Sequence, residues 1–245
     1  MNWSINPDSQ PSEYWEMNGR VYDPFRPNIE PNGFSNVEEM LQSRNEALKA
    51  FRNSYEKANI FVFTLGLTES WFNKANGYEY PICPGTFAGE FDEKLHEFVN
   101  QYYNLVRKDL NEAINLMRSV NKSLKFVLTV SPVPLVATYE GRHVVLSTMY
   151  SKSVLRAVAG KLSEDRSVVD YFPSYEIINS PAFEGFFFEP NKRAVNHHGV
   201  SFVMSEFFKS MEKCFKVNIS AKSASEAVDD EDVVCEEEIL GAFGE

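Results

Sequence analysis

Apolar residues along this chain follow two rhythms. Short unbroken runs at residues 59–66 (Asn-Ile-Phe-Val-Phe-Thr-Leu-Gly), 125–131 (Lys-Phe-Val-Leu-Thr-Val-Ser) and 167–171 read as strands covered on both faces. Between them the apolar positions recur at helical spacing. Over residues 91–120, Phe98, Tyr102, Leu105, Leu110, Ile114 and Met117 mark one face, which also places His96 on this helix. Further helices are predicted over residues 150–162 and 199–211, the last gathering Val200, Val203, Met204, Phe207 and Phe208. Ser35, with Glu38 three residues on, reads as a capping box opening a helix that runs to about Lys57. His143 to Ser147 reads as a short strand.

Strands alternating with helices predict an α/β fold with a parallel sheet and right-handed crossovers. Ligands of such sheets bind beyond the carboxyl ends of the strands, which here means residues 66–70, 131–134 and 171–176. Three regions follow from the pattern. Residues 1–34 carry Pro24, Pro27 and Pro31 among many aromatics and are expected to lie extended over the domain. Residues 35–215 form the α/β domain. Residues 216–245 are expected to be a disordered acidic tail. Its apolar cluster of Ile239, Leu240 and Phe243 is either a docking peptide or simply a frayed end.

Charge sharpens this division. Net charge is −11, and residues 221–245 set Lys222 against nine acids, which leaves only −3 on the body. Neither part offers the basic stripe that phosphate backbones require, so a nucleic-acid partner is not expected. The three cysteines, Cys83, Cys214 and Cys235, lack any paired spacing for zinc or a disulfide framework. The amino-terminal residues lack a signal-peptide pattern, and no apolar run reaches membrane-spanning length. A cytoplasmic location, without membrane contact, is the expectation.

Candidate chemistry gathers at the strand ends. After the first strand comes Gly66, where the chain can bend and direct a backbone N–H toward a ligand oxyanion, followed by Thr68 and Glu69. An ordinary turn capped by Thr68 is the other reading. Ser131 ends the second strand at a Pro-rich turn, as a ligand contact or as a backbone-capping hydroxyl. No Gly-x-Ser-x-Gly elbow occurs. His197 and His198 open the last helix, as acid/base groups or as a solvated cap, and adjacent helical positions diverge, so both cannot serve one site. His96 and His143 read as structural. Lys152 and Arg156 read as helix pairing or solvated surface. No metal or other cofactor is expected.

Longer strings add a resemblance. Phe61-Val-Phe-Thr-Leu-Gly-Leu-Thr-Glu-Ser-Trp71, Leu128-Thr-Val-Ser-Pro-Val-Pro134, Tyr150-Ser-Lys-Ser-Val-Leu-Arg-Ala-Val158 and Asp170-Tyr-Phe-Pro-Ser-Tyr-Glu-Ile177 resemble the GSCFA family, as do Trp15 to Arg20 and Asp23 to Pro27. The resemblance implies a flavodoxin-like, SGNH-hydrolase-like three-layer sandwich with a mostly parallel sheet. It also implies a serine-dependent ester hydrolase or acyltransferase acting on an acylated small molecule or carbohydrate. Gly66, Thr68, Glu69 and Ser131 would line the oxyanion and substrate site, with His197 or His198 as base.

Three departures accompany the resemblance. No Gly-Ser-Cys-Phe-Ala string, the family's source of the nucleophile, occurs in these residues. Thr68 stands where SGNH enzymes offer an Asn, and Asn191-Lys-Arg-Ala194 stands where they carry Asp-x-x-His. The expectation is a fragment of a longer protein, missing the first strand of its sheet and inactive in this form. Alternatively a second chain or an oligomer supplies that strand, or the chain is a non-catalytic binding module.

Overall fold

The computed structural model describes residues 1–215, so the expected acidic tail, with Cys235, lies outside the described residues. In chain order the elements are α1 (Asn2–Ile5), a 3-10 turn (Pro7–Ser9), β1 (Trp15–Met17), β2 (Arg20–Tyr22), α2 (Val37–Glu56), β3 (Ile60–Leu65), β4 (Glu69–Asn73), β5 (Glu79–Tyr80), β6 (His96–Asn100) and α3 (Tyr103–Val120). Then come β7 (Lys125–Val130), α4 (Val144–Asp165), β8 (Val169–Tyr171), α5 (Ser174–Asn179), a second 3-10 turn (Pro181–Phe183) and α6 (His197–Phe215). The three apolar runs form one sheet in the order β3-β7-β8. The Lys125 N–H donates to Asn59 C=O at 3.0 Å and the Ser131 N–H to Leu65 C=O at 2.9 Å, an advance in the same sense that makes the pair parallel. Phe126 N–H to Val168 C=O and Phe172 N–H to Leu128 C=O, each 2.8 Å, do the same for the second pair.

Contacts divide the chain into two compact units. The first comprises Met1–Val62, Thr68–Val127 and Gly160–Val169; the second comprises Phe63–Leu67, Leu128–Ala159 and the chain from Asp170 onward. Each parallel strand begins in the first unit and ends in the second.

In the first unit the amino-terminal residues are not simply extended: they include α1, a 3-10 turn and the hairpin β1-β2. They are anchored by a buried ion pair. Asp23, 1% exposed, accepts from Arg44 Nη2 at 2.8 Å and Nε at 3.1 Å, from Arg26 Nε at 2.9 Å and from the Phe25 N–H. Arg44 gives its remaining donors to the carbonyls of Pro11 and Glu13. Every polar atom of the pair is thereby satisfied, the condition under which a buried charge is tolerated. Trp15 and Phe25 then pack against Tyr80, whose hydroxyl donates to Glu13 Oε1 and accepts from Asn73 Nδ2 at 3.1 Å.

Several expectations are corrected here. The helix α2 is capped one residue later than Ser35: Asn36 Oδ1 accepts from the Glu39 N–H and Glu39 Oε2 from the Ser35 N–H, both at 2.9 Å. The Ser35 hydroxyl instead faces the Arg20 guanidinium. The backbone hydrogen bond from Ser35 holds the Glu39 carboxyl below its usual range. The stretch around His96 is strand, not helix. His96 to Asn100 pairs antiparallel with Glu69 to Asn73, and Phe98 packs edge-on against Trp71. With β5, these strands make an antiparallel sheet in addition to the parallel sheet β3-β7-β8 of the α/β fold. The helix α3 starts only at Tyr103 and buries Val106, Leu110, Ile114 and Met117.

In the second unit, the expected strand at His143 to Ser147 is the start of α4. His143 Nδ1 accepts from the Val145 N–H, taking the place of a helix cap. Val145 and Leu146 are more than half exposed, so their apolar side chains do not report a sheet. The helix α6 begins at His197, two residues before its expected start, and Phe207 meets Phe172 edge-on at 5.1 Å.

The anchoring role of the ion pair can be measured. Asp23→Ala leaves the Arg44 charge buried without its partner and should lower unfolding stability by ~3–5 kcal/mol in urea denaturation. A loss below ~1 kcal/mol would mean the pair anchors nothing. The Tyr80 phenol offers a second test, because burial, then the bond to Glu13, pushes it well above the usual tyrosine range. The unfolded chain ionises this phenol first, so its contribution is full below about pH 10 and is lost as pH rises beyond that. Alkaline denaturation of Tyr80→Phe should therefore show a flatter pH dependence than wild type; equal slopes would contradict this assignment.

Candidate functional site

The carboxyl ends of the parallel strands lie in the second unit, and there the polar groups converge. β3 ends at Leu65 and continues through Gly66 and Leu67; β7 ends beside it, joined by the Ser131 N–H to Leu65 C=O bond. Ser131 Oγ accepts from the Val133 N–H at 3.2 Å, closing the turn at the two prolines.

The first half of α4 brings buried polar side chains to the same unit. Ser147, Ser151 and Lys152 are all buried, Lys152 at 1% exposure. Ser147 Oγ donates to Glu140 Oε2 at 2.8 Å and accepts from Thr138 Oγ1 at 3.2 Å, while Arg142 pairs with the other Glu140 oxygen at 2.6 Å. Thr148 Oγ1 accepts from the Leu135 N–H. These bonds tie the Pro-rich loop onto the helix. Lys152 Nζ donates to the Gly66 carbonyl at 2.9 Å. Lys152 is thus no solvated residue; it reaches the end of β3. The spacing carried this signal, because Lys152 shares a helical face with Leu155, Ala159 and Leu162, all buried.

At the end of β8, Tyr171 donates its hydroxyl to Glu176 Oε2 at 2.8 Å, and burial pushes its phenol above the usual range. The Arg156 guanidinium lies 4.1 Å from the Tyr171 ring centroid and pairs through Nε with Glu176 Oε1. Arg156 therefore clamps the start of α5 and does not merely face solvent. Ser174, nearby, donates to the Val130 carbonyl at 3.0 Å and bonds to Thr129 Oγ1.

Both histidines open α6 and are exposed. The cap is Asn196, whose Oδ1 accepts from the Gly199 N–H at 2.9 Å. Gly199 is required by space: a Cβ there would stand 2.7 Å from Val195 Cγ1 and 2.9 Å from Phe187 Cβ. His197 Nε2 lies 3.4 Å from Ser201 Oγ, and His198 stacks on Phe186. Among the described residues, neither ring hydrogen-bonds to Gly66 or Ser131. Asn191 Oδ1 accepts from the N–H groups of Arg193 and Ala194, a self-contained turn where an acid would be expected.

Thr68 and Glu69 belong to the first unit. The Thr68 hydroxyl donates to Asn100 Oδ1 at 2.6 Å and is buried; Glu69 opens β4 opposite Asn100. Of the six expected site residues, then, the strand ends bring Gly66 and Ser131 onto adjacent strands, the two histidines make contacts of their own in the same unit, and Thr68 and Glu69 form part of the other unit. Among the described residues no cluster of His, Cys, Asp and Glu is arranged to hold a metal ion, and no helix is long and apolar enough to cross a membrane. The end of this parallel sheet holds the main chain at Gly66 and the Ser131 hydroxyl, with Lys152 buried against the Gly66 carbonyl, and such strand ends are where parallel sheets bind ligands.

Comparison with known proteins adds one result: the GSCFA family matches residues 3–207. No curated protein and no solved structure matches the chain. The match spans most of the chain and includes every strand and every site residue discussed above, and the protein belongs to the GSCFA family.

Proposed function

We propose that this chain carries the fold of an SGNH-type ester hydrolase or acyltransferase, a flavodoxin-like sandwich, acting on an acylated small molecule or carbohydrate. Family membership over residues 3–207 carries the reading, and the placement of Gly66 and Ser131 on adjacent strand ends supports it. The nucleophile is the serine of a Gly-Ser-Cys-Phe-Ala segment, which these 245 residues do not contain. Its hydroxyl oxygen adds to the ester carbonyl carbon while its proton passes to His197 or His198. The tetrahedral oxyanion is held by hydrogen-bond donors at the turn after β3. Collapse expels the alcohol, which takes that proton. Water, or an acceptor hydroxyl, then receives the acyl group from the serine.

A second reading is a non-catalytic module that holds an acylated sugar at the same strand ends. The self-contained turn of Asn191 favours it, since no acidic side chain stands there to orient a histidine.

Hydrolysis of p-nitrophenyl acetate separates the two. The chain alone is expected to match buffer, and to gain turnover when a family member's Gly-Ser-Cys-Phe-Ala segment is fused ahead of Met1. Turnover by the unfused chain that Ser131→Ala, His197→Ala or His198→Ala abolishes would overturn the assignment of the nucleophile. A folded fusion that stays inactive yet binds an acetylated sugar saturably would establish the binding module instead.

A further inference from the structure

Lys152 carries an amine into the interior of the second unit, at 1% exposure, and gives a hydrogen bond to the backbone oxygen of Gly66. That choice has a geometric consequence. The peptide group joining Gly66 to Leu67 is planar and trans, so its C=O and N–H point in opposite directions. With the carbonyl aimed at Lys152 Nζ, the Leu67 N–H is aimed away from the buried amine. Among the described residues this N–H donates to no acceptor, and Leu67 itself is partly exposed. On a partly exposed residue, a donor with no protein acceptor is open to solvent and to a ligand oxygen.

The same bond also strengthens the open donor. A carbonyl that accepts a hydrogen bond is polarised, and polarisation passes through the amide to its own N–H. Lys152 therefore orients Leu67 N–H and makes it a better donor, from behind and without contact with any ligand. The open N–H stands two residues beyond Leu65, which Ser131 joins across the sheet, at the strand end where ligands of parallel sheets bind.

We propose that the Leu67 backbone N–H binds the carbonyl or carboxylate oxygen of an acyl ligand, and that Lys152 is the positioning residue that orients and polarises it. The inference rests on the acyl-ligand reading of this strand end and names the donor that meets the ligand.

Acetate, the acid product of the model ester, is the probe. Isotope-labelled chain is titrated with sodium acetate against sodium chloride at matched ionic strength, following backbone amide resonances. The Leu67 amide should shift saturably with acetate and not with chloride. Lys152→Met should weaken acetate binding roughly tenfold or more, and Lys152→Arg should restore most of it. A Leu67 amide that stays still in wild type overturns the site; equal binding in folded Lys152→Met overturns the role of Lys152. Should Lys152→Met fail to fold, Lys152→Arg decides: it should move both the Gly66 carbonyl carbon and the Leu67 amide, and wild-type positions for both overturn the positioning role. Acetate binding needs no nucleophile, so a failed ester assay leaves this titration readable. Conversely, a silent Leu67 amide in a fusion that turns over ester sinks this inference alone.

Discussion

A lysine amine taken out of water must find oxygen inside the protein, and that constraint organises the second unit. Lys152 finds the Gly66 carbonyl at 2.9 Å. To reach it, α4 must present its polar residues inward over its first half, a rotation opposite to the usual amphipathic arrangement. Ser147, Thr148 and Ser151 follow from that orientation, and each hydroxyl needs a partner once buried. The loop after β7 supplies several: Glu140, Thr138 and the Leu135 N–H. Beyond Lys152 the helix becomes apolar, with Leu155, Val158 and Ala159 packed in the core. One buried amine thus accounts for the register of α4, the tethering of the Pro-rich loop and the direction of the peptide at the end of β3.

The first unit handles buried charge differently, and the contrast separates support from site. Asp23 and Arg44 satisfy one another, and their remaining capacity goes to Arg26, the Phe25 N–H and two carbonyls of the amino-terminal segment. That network is closed: its donors and acceptors end on protein, so it fastens residues 11–26 to α2 and offers nothing to a ligand. The Lys152 bond ends on a peptide whose N–H has no acceptor among the described residues. Equivalent burial therefore serves anchoring in one unit and, on the proposed reading, presentation in the other.

The parallel strands are legible in the sequence because strands covered on both faces are written as unbroken apolar runs. The stretch from His96 misleads for a physical reason. Phe98 sits at helical spacing from Tyr102 and Leu105, yet its packing is decided by pairing with Trp71, far earlier in the chain, which no local window contains. The same holds for β4, whose longer pairing is with β6. The cap of α2 lies at Asn36 rather than Ser35, whose hydroxyl accepts from Arg20 instead. At the site, Gly66 and Ser131 can be anticipated from their positions after strands. Lys152 reads as solvated only when charge is weighed above spacing, since its face is marked by Leu155 and Ala159.

The departures from the SGNH pattern that the proposed function supposes look different once these bonds are known. Thr68 stands where a side-chain donor is expected, yet its hydroxyl gives its proton to Asn100 Oδ1 and is buried. A hydroxyl has a single proton to donate, so this one is already engaged. If the turn after β3 is to stabilise developing negative charge, the donor must come from the main chain. Main-chain donors suit that role, because their position does not depend on a rotamer and they lose no side-chain entropy when a ligand arrives. They do require something to fix the peptide plane, and a buried amine on its carbonyl can do that from the opposite side. On the proposed reading, the donor at this strand end is a backbone amide whose carbonyl Lys152 holds in place.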